Sequence, residues 1–168
     1  MGKFGAAKAG VLVAVLALSL SGCSSAMFGA GGSVGKPALV AELPNIGNYT
    51  AASALVEARD HFRNSDFGYS AALYKRVVEL TPKDKEGYVG LGASYDRLGR
   101  FDLSDRVYAA LYALSGDSAQ YYNNVGYSYL LRGNLSAALS NFRKAKALAP
   151  DSVVVANNIQ ILENATRA

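Results

Sequence analysis

The sequence predicts an all-α protein, three stacked helical hairpins and a closing helix, preceded by a leader and a flexible linker. Three observations predict it. Tyr88, Gly92, Tyr95 and Gly99 return 34 residues later as Tyr122, Gly126, Tyr129 and Gly133. Breakers punctuate the same period at Pro82, Gly116 and Pro150. A short apolar run that closes on the chain's single cysteine precedes all of this. A period of this length marks a repeat architecture, in which each unit buries its apolar face only against its neighbours.

The leader has three parts. Met1–Lys8 is short and basic, and Val11–Leu20 is apolar. That run is about half of the roughly 20 residues a membrane-spanning helix needs. Leu20-Ser21-Gly22-Cys23 then sets small residues before a cut, as secretory signals do. The tetrapeptide resembles the bacterial lipobox. The resemblance implies that residues 1–22 are a lipoprotein signal peptide and that Cys23 becomes the acylated N-terminus. Two or three acyl chains, at roughly 0.8 kcal/mol per buried methylene, hold a protein firmly on a membrane. Ser24, rather than Asp, after the cysteine implies sorting to the outer membrane, facing the periplasm.

Residues 23–50 are rich in Gly, Ala, Ser and Pro, with Pro37 and Pro44 breaking any helix. They read as a flexible tether, whose 25 or so Gly-rich residues reach roughly 25–30 Å. Leu39, Val40, Leu43 and Ile46 are apolar enough to dock on the folded part.

The folded part is expected over 51–168, with repeats at about 51–84, 85–118 and 119–152 and a capping helix at about 153–165. The second repeat reads Tyr88-x-x-Leu91-Gly92-x-x-Tyr95 and the third Tyr122-x-x-Val125-Gly126-x-x-Tyr129, continuing through Ala138, Phe142, Ala145 and Pro150. The first is weaker at its start, where Ala54, Glu57, Ala58 and His61 hold the corresponding places. It recovers in Phe67, Ser70, Tyr74, Val77 and Pro82. Gly92 and Gly126, lacking a Cβ, let the two helices of a hairpin approach. Gly99 and Gly133 suit the left-handed residue that ends a helix. Asp84, Asp117 or Ser118, and Asp151 or Ser152 are the N-cap choices for the next helices.

This pattern resembles the tetratricopeptide repeat. The resemblance covers about residues 51–165 and implies a right-handed superhelix whose first helices line a concave groove for protein partners. Carried over, the groove positions of the first repeat include Arg59, Phe62 and Arg63. Those of the second include Val89, Ala93, Asp96 and Arg97. The third contributes Asn123, Asn124, Tyr127 and Leu130, and the last helix Val154, Asn157, Asn158 and Ile161. The pair Asn123-Asn124 recurs as Asn157-Asn158, and an amide that both donates and accepts can clamp an extended backbone. Alternatively, these amides bond the neighbouring helix. Val89, Ala93, Tyr127 and Leu130 would form an apolar strip, and Arg59, Arg63 and Arg97 would receive acidic groups. The groove positions do not match a carboxylate clamp for chaperone tails.

Composition excludes several other functions. The whole chain is +4, from 17 basic and 13 acidic residues. Removing residues 1–22 takes away Lys3 and Lys8 and leaves 15 against 13, or +2, too little to mark a nucleic-acid binder. One cysteine and one histidine give neither an internal disulfide nor a convincing metal site. His61 falls at a packing position, Gly90-Leu91-Gly92 lacks the third glycine of a dinucleotide loop, and no nucleophile has a base beside it. The expectation is therefore a scaffold with no catalytic site, no metal and no cofactor. Its partners would be proteins, bound as an extended peptide or a helix, and the membrane through the lipid. In size and in its Cys-Ser-Ser start the chain resembles the pilotins of the TadD type (Tad/Flp pilus), which implies a secretin or pilus component as partner. The alternative is an envelope adaptor for peptidoglycan enzymes or proteases, of the NlpI type. Val153–Val155 suggest a homodimer contact.

Overall fold

The computed structural model describes residues 39–167. The expected signal peptide, Cys23 and the first part of the expected linker lie outside the described residues. Seven α-helices follow one another among the described residues: α1 Ala51–Arg63, α2 Phe67–Leu80, α3 Lys85–Arg97, α4 Phe101–Ser115, α5 Ala119–Leu131, α6 Leu135–Leu148 and α7 Val153–Arg167. They form three hairpins that stack in chain order, with α7 packed on α5 and α6.

Each boundary has a local cause. Thr50 opens α1 with a reciprocal capping box. Its hydroxyl accepts from the Ser53 amide, and the Ser53 hydroxyl accepts from the Thr50 amide. Asp84, Ser118 and Ser152 cap α3, α5 and α7 by accepting from Glu86, Tyr121 and Val155 amides. Within each hairpin the first helix ends in the same way. The amides of Asp66, Arg100 and Asn134 donate back to the carbonyls of His61, Tyr95 and Tyr129 at 2.8, 2.8 and 2.9 Å. This closure needs a left-handed residue, supplied by Gly99 at φ 69° and Gly133 at φ 75°. The first hairpin places Ser65 there, at φ 65°.

The hairpins are tight because glycine stands where a ring arrives. A Cβ on Gly92 would lie 2.6 Å from the Tyr108 ring, and one on Gly126 would lie 2.7 Å from Phe142. Between hairpins, Gly90 accommodates the Tyr74 ring in the same manner.

Most of the buried apolar residues fall into two clusters. One joins the first hairpin to α3 through Ala54, Ala58, Ala71, Leu73, Tyr74, Val77, Leu91, Tyr95 and Leu98. The other joins the third hairpin to α7 through Leu130, Ala138, Phe142 and Leu162.

Residues 39–50, the end of the expected tether, are laid on the first hairpin, where its apolar residues allow it to dock. Val40, Leu43 and Tyr49 pack against the first cluster. The Ala41 amide donates to the Gly68 carbonyl at 3.2 Å, and Arg76 donates to the Gly47 carbonyl at 3.1 Å. Leu39 stays in solvent, 79% exposed, and Ile46 is half-buried in a short 3₁₀ turn, Ile46–Asn48. The suggested dimer contact also divides. Val153 and Val154 are exposed, but Val155 points inward and is 2% exposed.

Candidate functional site

The first helices of the hairpins, α1, α3 and α5, together with α7, line one face. A cavity of about 350 Å³ opens there. Phe62 of α1, Ala93, Asp96 and Arg97 of α3, Asn123, Asn124 and Tyr127 of α5, and Asn158 and Ile161 of α7 surround it, with Tyr108 of α4 reaching in from behind. A second cavity of about 280 Å³ between α5 and α7 shares Asn123 and Asn124.

Of the groove residues expected from the sequence, Phe62, Ala93, Asp96, Arg97, Asn123, Asn124, Tyr127, Asn158 and Ile161 meet at this cavity. The amides do different jobs. Asn158 Nδ2 donates to Asn123 Oδ1 at 2.8 Å, so this pair ties α7 to α5, as the alternative reading of the amides had it. The side-chain nitrogen of Asn124 is buried and, among the described residues, has no hydrogen-bond partner. A donor left in that state costs about 1–3 kcal/mol relative to one that is paired.

The other expected residues lie elsewhere. Arg59 is held by Glu86 of α3, its Nε donating at 2.7 Å. Arg63 pairs with Asp60 on its own helix at 2.9 Å. Neither lines the cavity. Val89 is half-buried and off the cavity. Leu130 is a correction. It is 4% exposed and belongs to the second apolar cluster, because α7 and α6 close over that side of α5. Asn157 faces solvent, since among the described residues no helix stacks beyond α7 to receive it.

The floor of the cavity is polar. Asp96, 4% exposed, accepts hydrogen bonds from Tyr108 Oη at 2.9 Å and Ser128 Oγ at 2.6 Å. Burial raises its carboxyl above the ordinary range, and the hydroxyl donors oppose that rise. Burial, then the neighbouring Asp96 charge, pushes the Tyr108 hydroxyl well up. Arg132 closes the network. It donates to Ser128 Oγ at 2.8 Å and to Asp105 at 2.9 Å, and it lies over the Phe101 ring at 4.8 Å.

The repeat shows why this floor is polar. One period earlier, the places of Asp96, Asp105 and Arg132 are held by Phe62, Ala71 and Leu98. Ala71 and Leu98 are buried in the first apolar cluster. There, Ser70 and Ser94 share one hydrogen bond of 3.0 Å. Between the second and third hairpins the corresponding Ser104 and Ser128 are instead bridged by Arg132. The apolar packing is interrupted at that junction, and the cavity sits above it. Sequence reasoning placed Asp96, Phe62 and Ile161 at groove positions but missed Ser104, Asp105, Ser128 and Arg132. The available signal was a charged pair standing where the preceding repeat has an apolar one.

Among the described residues no group of three His, Cys, Asp or Glu side chains is placed to hold a metal ion. His61 stacks on Tyr69, with ring centroids 5.3 Å apart, and its Nδ1 lies 3.4 Å from Asp66.

No curated protein matches the chain by sequence. Solved structures do match its fold. The first such domain of human RPAP3 superposes with a TM-score of 0.61 at 15% identity, covering 70% of this chain and 92% of that one. The Yersinia enterocolitica type III secretion chaperone SycD, in complex with a peptide of the translocator YopD, gives 0.58 at 16% identity, covering 73% and 93%. PcrH, in complex with the chaperone binding region of PopD, gives 0.58 at 19% identity, covering 69% and 90%. The tetratricopeptide repeat family matches residues 55–104 and 91–153. These two matches run together from 55 to 153, more than half of the 168 residues. With the 34-residue hairpins and their ring-on-glycine contacts, they establish that the chain belongs to the tetratricopeptide repeat family.

Proposed function

We propose that this protein is a non-enzymatic scaffold that binds an extended segment of a protein partner in the groove of α1, α3, α5 and α7, held at the outer membrane through Cys23. The observation that carries the binding reading is the Asn124 amide, buried and unpartnered among the described residues, at a cavity lined by α1, α3, α5 and α7. A peptide carbonyl is the acceptor such a donor lacks. Two structures of similar fold hold a partner segment, SycD a peptide of the translocator YopD and PcrH the chaperone binding region of PopD. The lipobox-like Leu20-Ser21-Gly22-Cys23 supports the anchor. The same features suit assembly of a pilus or secretion machine, in the manner of a pilotin, with a secretin or pilus component as partner.

A photo-crosslinking residue at Tyr127, introduced into the chain in intact cells, tests the groove. The expected product is one dominant adduct, identified by mass spectrometry and lost in the Asn124→Ala variant. An adduct pattern unchanged by Asn124→Ala would remove the groove assignment. An adduct with a peptidoglycan enzyme would replace the pilus reading with the adaptor reading. Cys23→Ser should release the protein from the membrane fraction, and continued attachment would remove the lipid anchor.

A further inference from the structure

The second repeat carries a carboxylate where the repeat does not ask for one. Phe62 and Leu130 hold the place of Asp96 in the first and third repeats. The side chain is 4% exposed and lines the cavity, and the side chains that donate to it are neutral hydroxyls. Among the described residues no Lys, Arg or His lies within 4 Å of it. Arg132 acts on it only through space, without contact, and it and Arg97 are committed elsewhere. Arg132 is held by Asp105, and the guanidinium of Arg97 lies over the Phe67 ring, 4.3 Å from its centroid. A buried carboxylate without a cation is costly, and a partner that supplies one recovers that cost.

The walls fit the rest of a basic side chain. Phe62, Ala93 and Tyr127 are apolar or aromatic and suit the methylene stem of lysine or arginine. A ring face also attracts the cation itself. An acidic side chain would meet Asp96 in a site of low dielectric and be repelled.

Resting on the groove reading above, we propose that the bound segment carries a lysine or arginine next to an apolar residue, with its cation seated on Asp96. Asn124 then holds the adjacent backbone, and Tyr127 and Phe62 flank the stem.

The test uses the full chain in detergent and a phage-displayed library of random heptapeptides. Selection should enrich Lys or Arg beside Leu, Ile or Phe. The best peptide, synthesised with blocked ends, should lose at least about tenfold in affinity when its basic residue becomes norleucine. On Asp96→Asn, shown folded by its thermal transition, the two peptides should bind alike. If Asp96→Asn fails to fold, the norleucine comparison on the unaltered chain decides by itself. Selected peptides that are acidic or uncharged, and that Asn124→Ala abolishes, would overturn the cation proposal and leave the groove standing. Peptides indifferent to Asn124→Ala, or none selected, would overturn both.

Discussion

Replacing Gly126 by alanine tests the packing on which the hairpin rests. The added Cβ would lie 2.7 Å from Cδ1 and Cε1 of Phe142. Carbon atoms in contact sit about 3.5–4.0 Å apart, so the overlap is roughly 1 Å. Phe142 is 0% exposed and is the largest fully buried side chain, so its ring has no free space to enter. Overpacking of this kind costs about 1–3 kcal/mol. Alanine in a helix recovers about 1 kcal/mol relative to glycine. With the overlap at the severe end, the net loss is about 2 kcal/mol, a fall in Tm of about 8 °C for a domain of this size. Thermal and guanidinium unfolding followed by far-UV circular dichroism measure it. Gly47→Ala, which meets nothing within 4 Å, is the control and should stay within about 0.5 kcal/mol. In the double variant Gly126→Ala with Phe142→Leu the clash is relieved, so the two effects should fall short of additivity by about 1 kcal/mol. A Gly126→Ala protein as stable as its parent, or a strictly additive pair, would refute the reasoning.

Three further outcomes follow from particular residues. Ser65→Gly should stabilise by about 0.5–1 kcal/mol. It removes a left-handed penalty of about 1–2 kcal/mol and adds part of the entropic cost of glycine. A urea midpoint that fails to rise would show that Ser65 is unstrained. Arg132→Ala should cost about 1 kcal/mol through lost stem packing and hydrogen bonds, whereas Arg132→Leu with Asp105→Ala, which copies Leu98 and Ala71, should be neutral or stabilising. The idea fails if the paired variant is less stable than the single one. Asp96 also makes stability depend on pH. Its native carboxyl titrates above the ordinary value of 3.8, so the folded state holds the proton more tightly than the unfolded chain. The stability contributed by this group is therefore greatest below 3.8 and declines as pH rises through the window up to the native value. Asp96→Asn lacks that decline. Its stability relative to the parent should rise across the window and level off above it, and guanidinium midpoints that differ by a constant amount from acid to neutral pH would contradict this.

Much of the fold was legible in the residues because its rules are local. Gly99 and Gly133 announce the left-handed closures, Pro82 and Pro150 announce the breaks, and Gly92 and Gly126 announce the close approaches. All of these report on backbone geometry within one hairpin, so a linear pattern carries them. Ser65 shows the limit, since only the recurring hydrogen bond to His61 reveals that a serine has taken the place of a glycine. The groove was legible as a set of positions but not as a set of roles.

What the sequence determined by itself was the fold, helical hairpins repeated every 34 residues. What only the tertiary structure decided was which side chains remain available in the groove. Leu130 and Asn123 are taken up by the packing of α7 on α5, and Arg59 by Glu86 one helix away. Among the described residues Asn124 Nδ2 is left without a partner, and Asp96 without a cation in contact. The physical reason is that backbone propensity acts over a few residues, whereas burial and hydrogen-bond satisfaction are settled between side chains that the chain brings together from about one repeat apart.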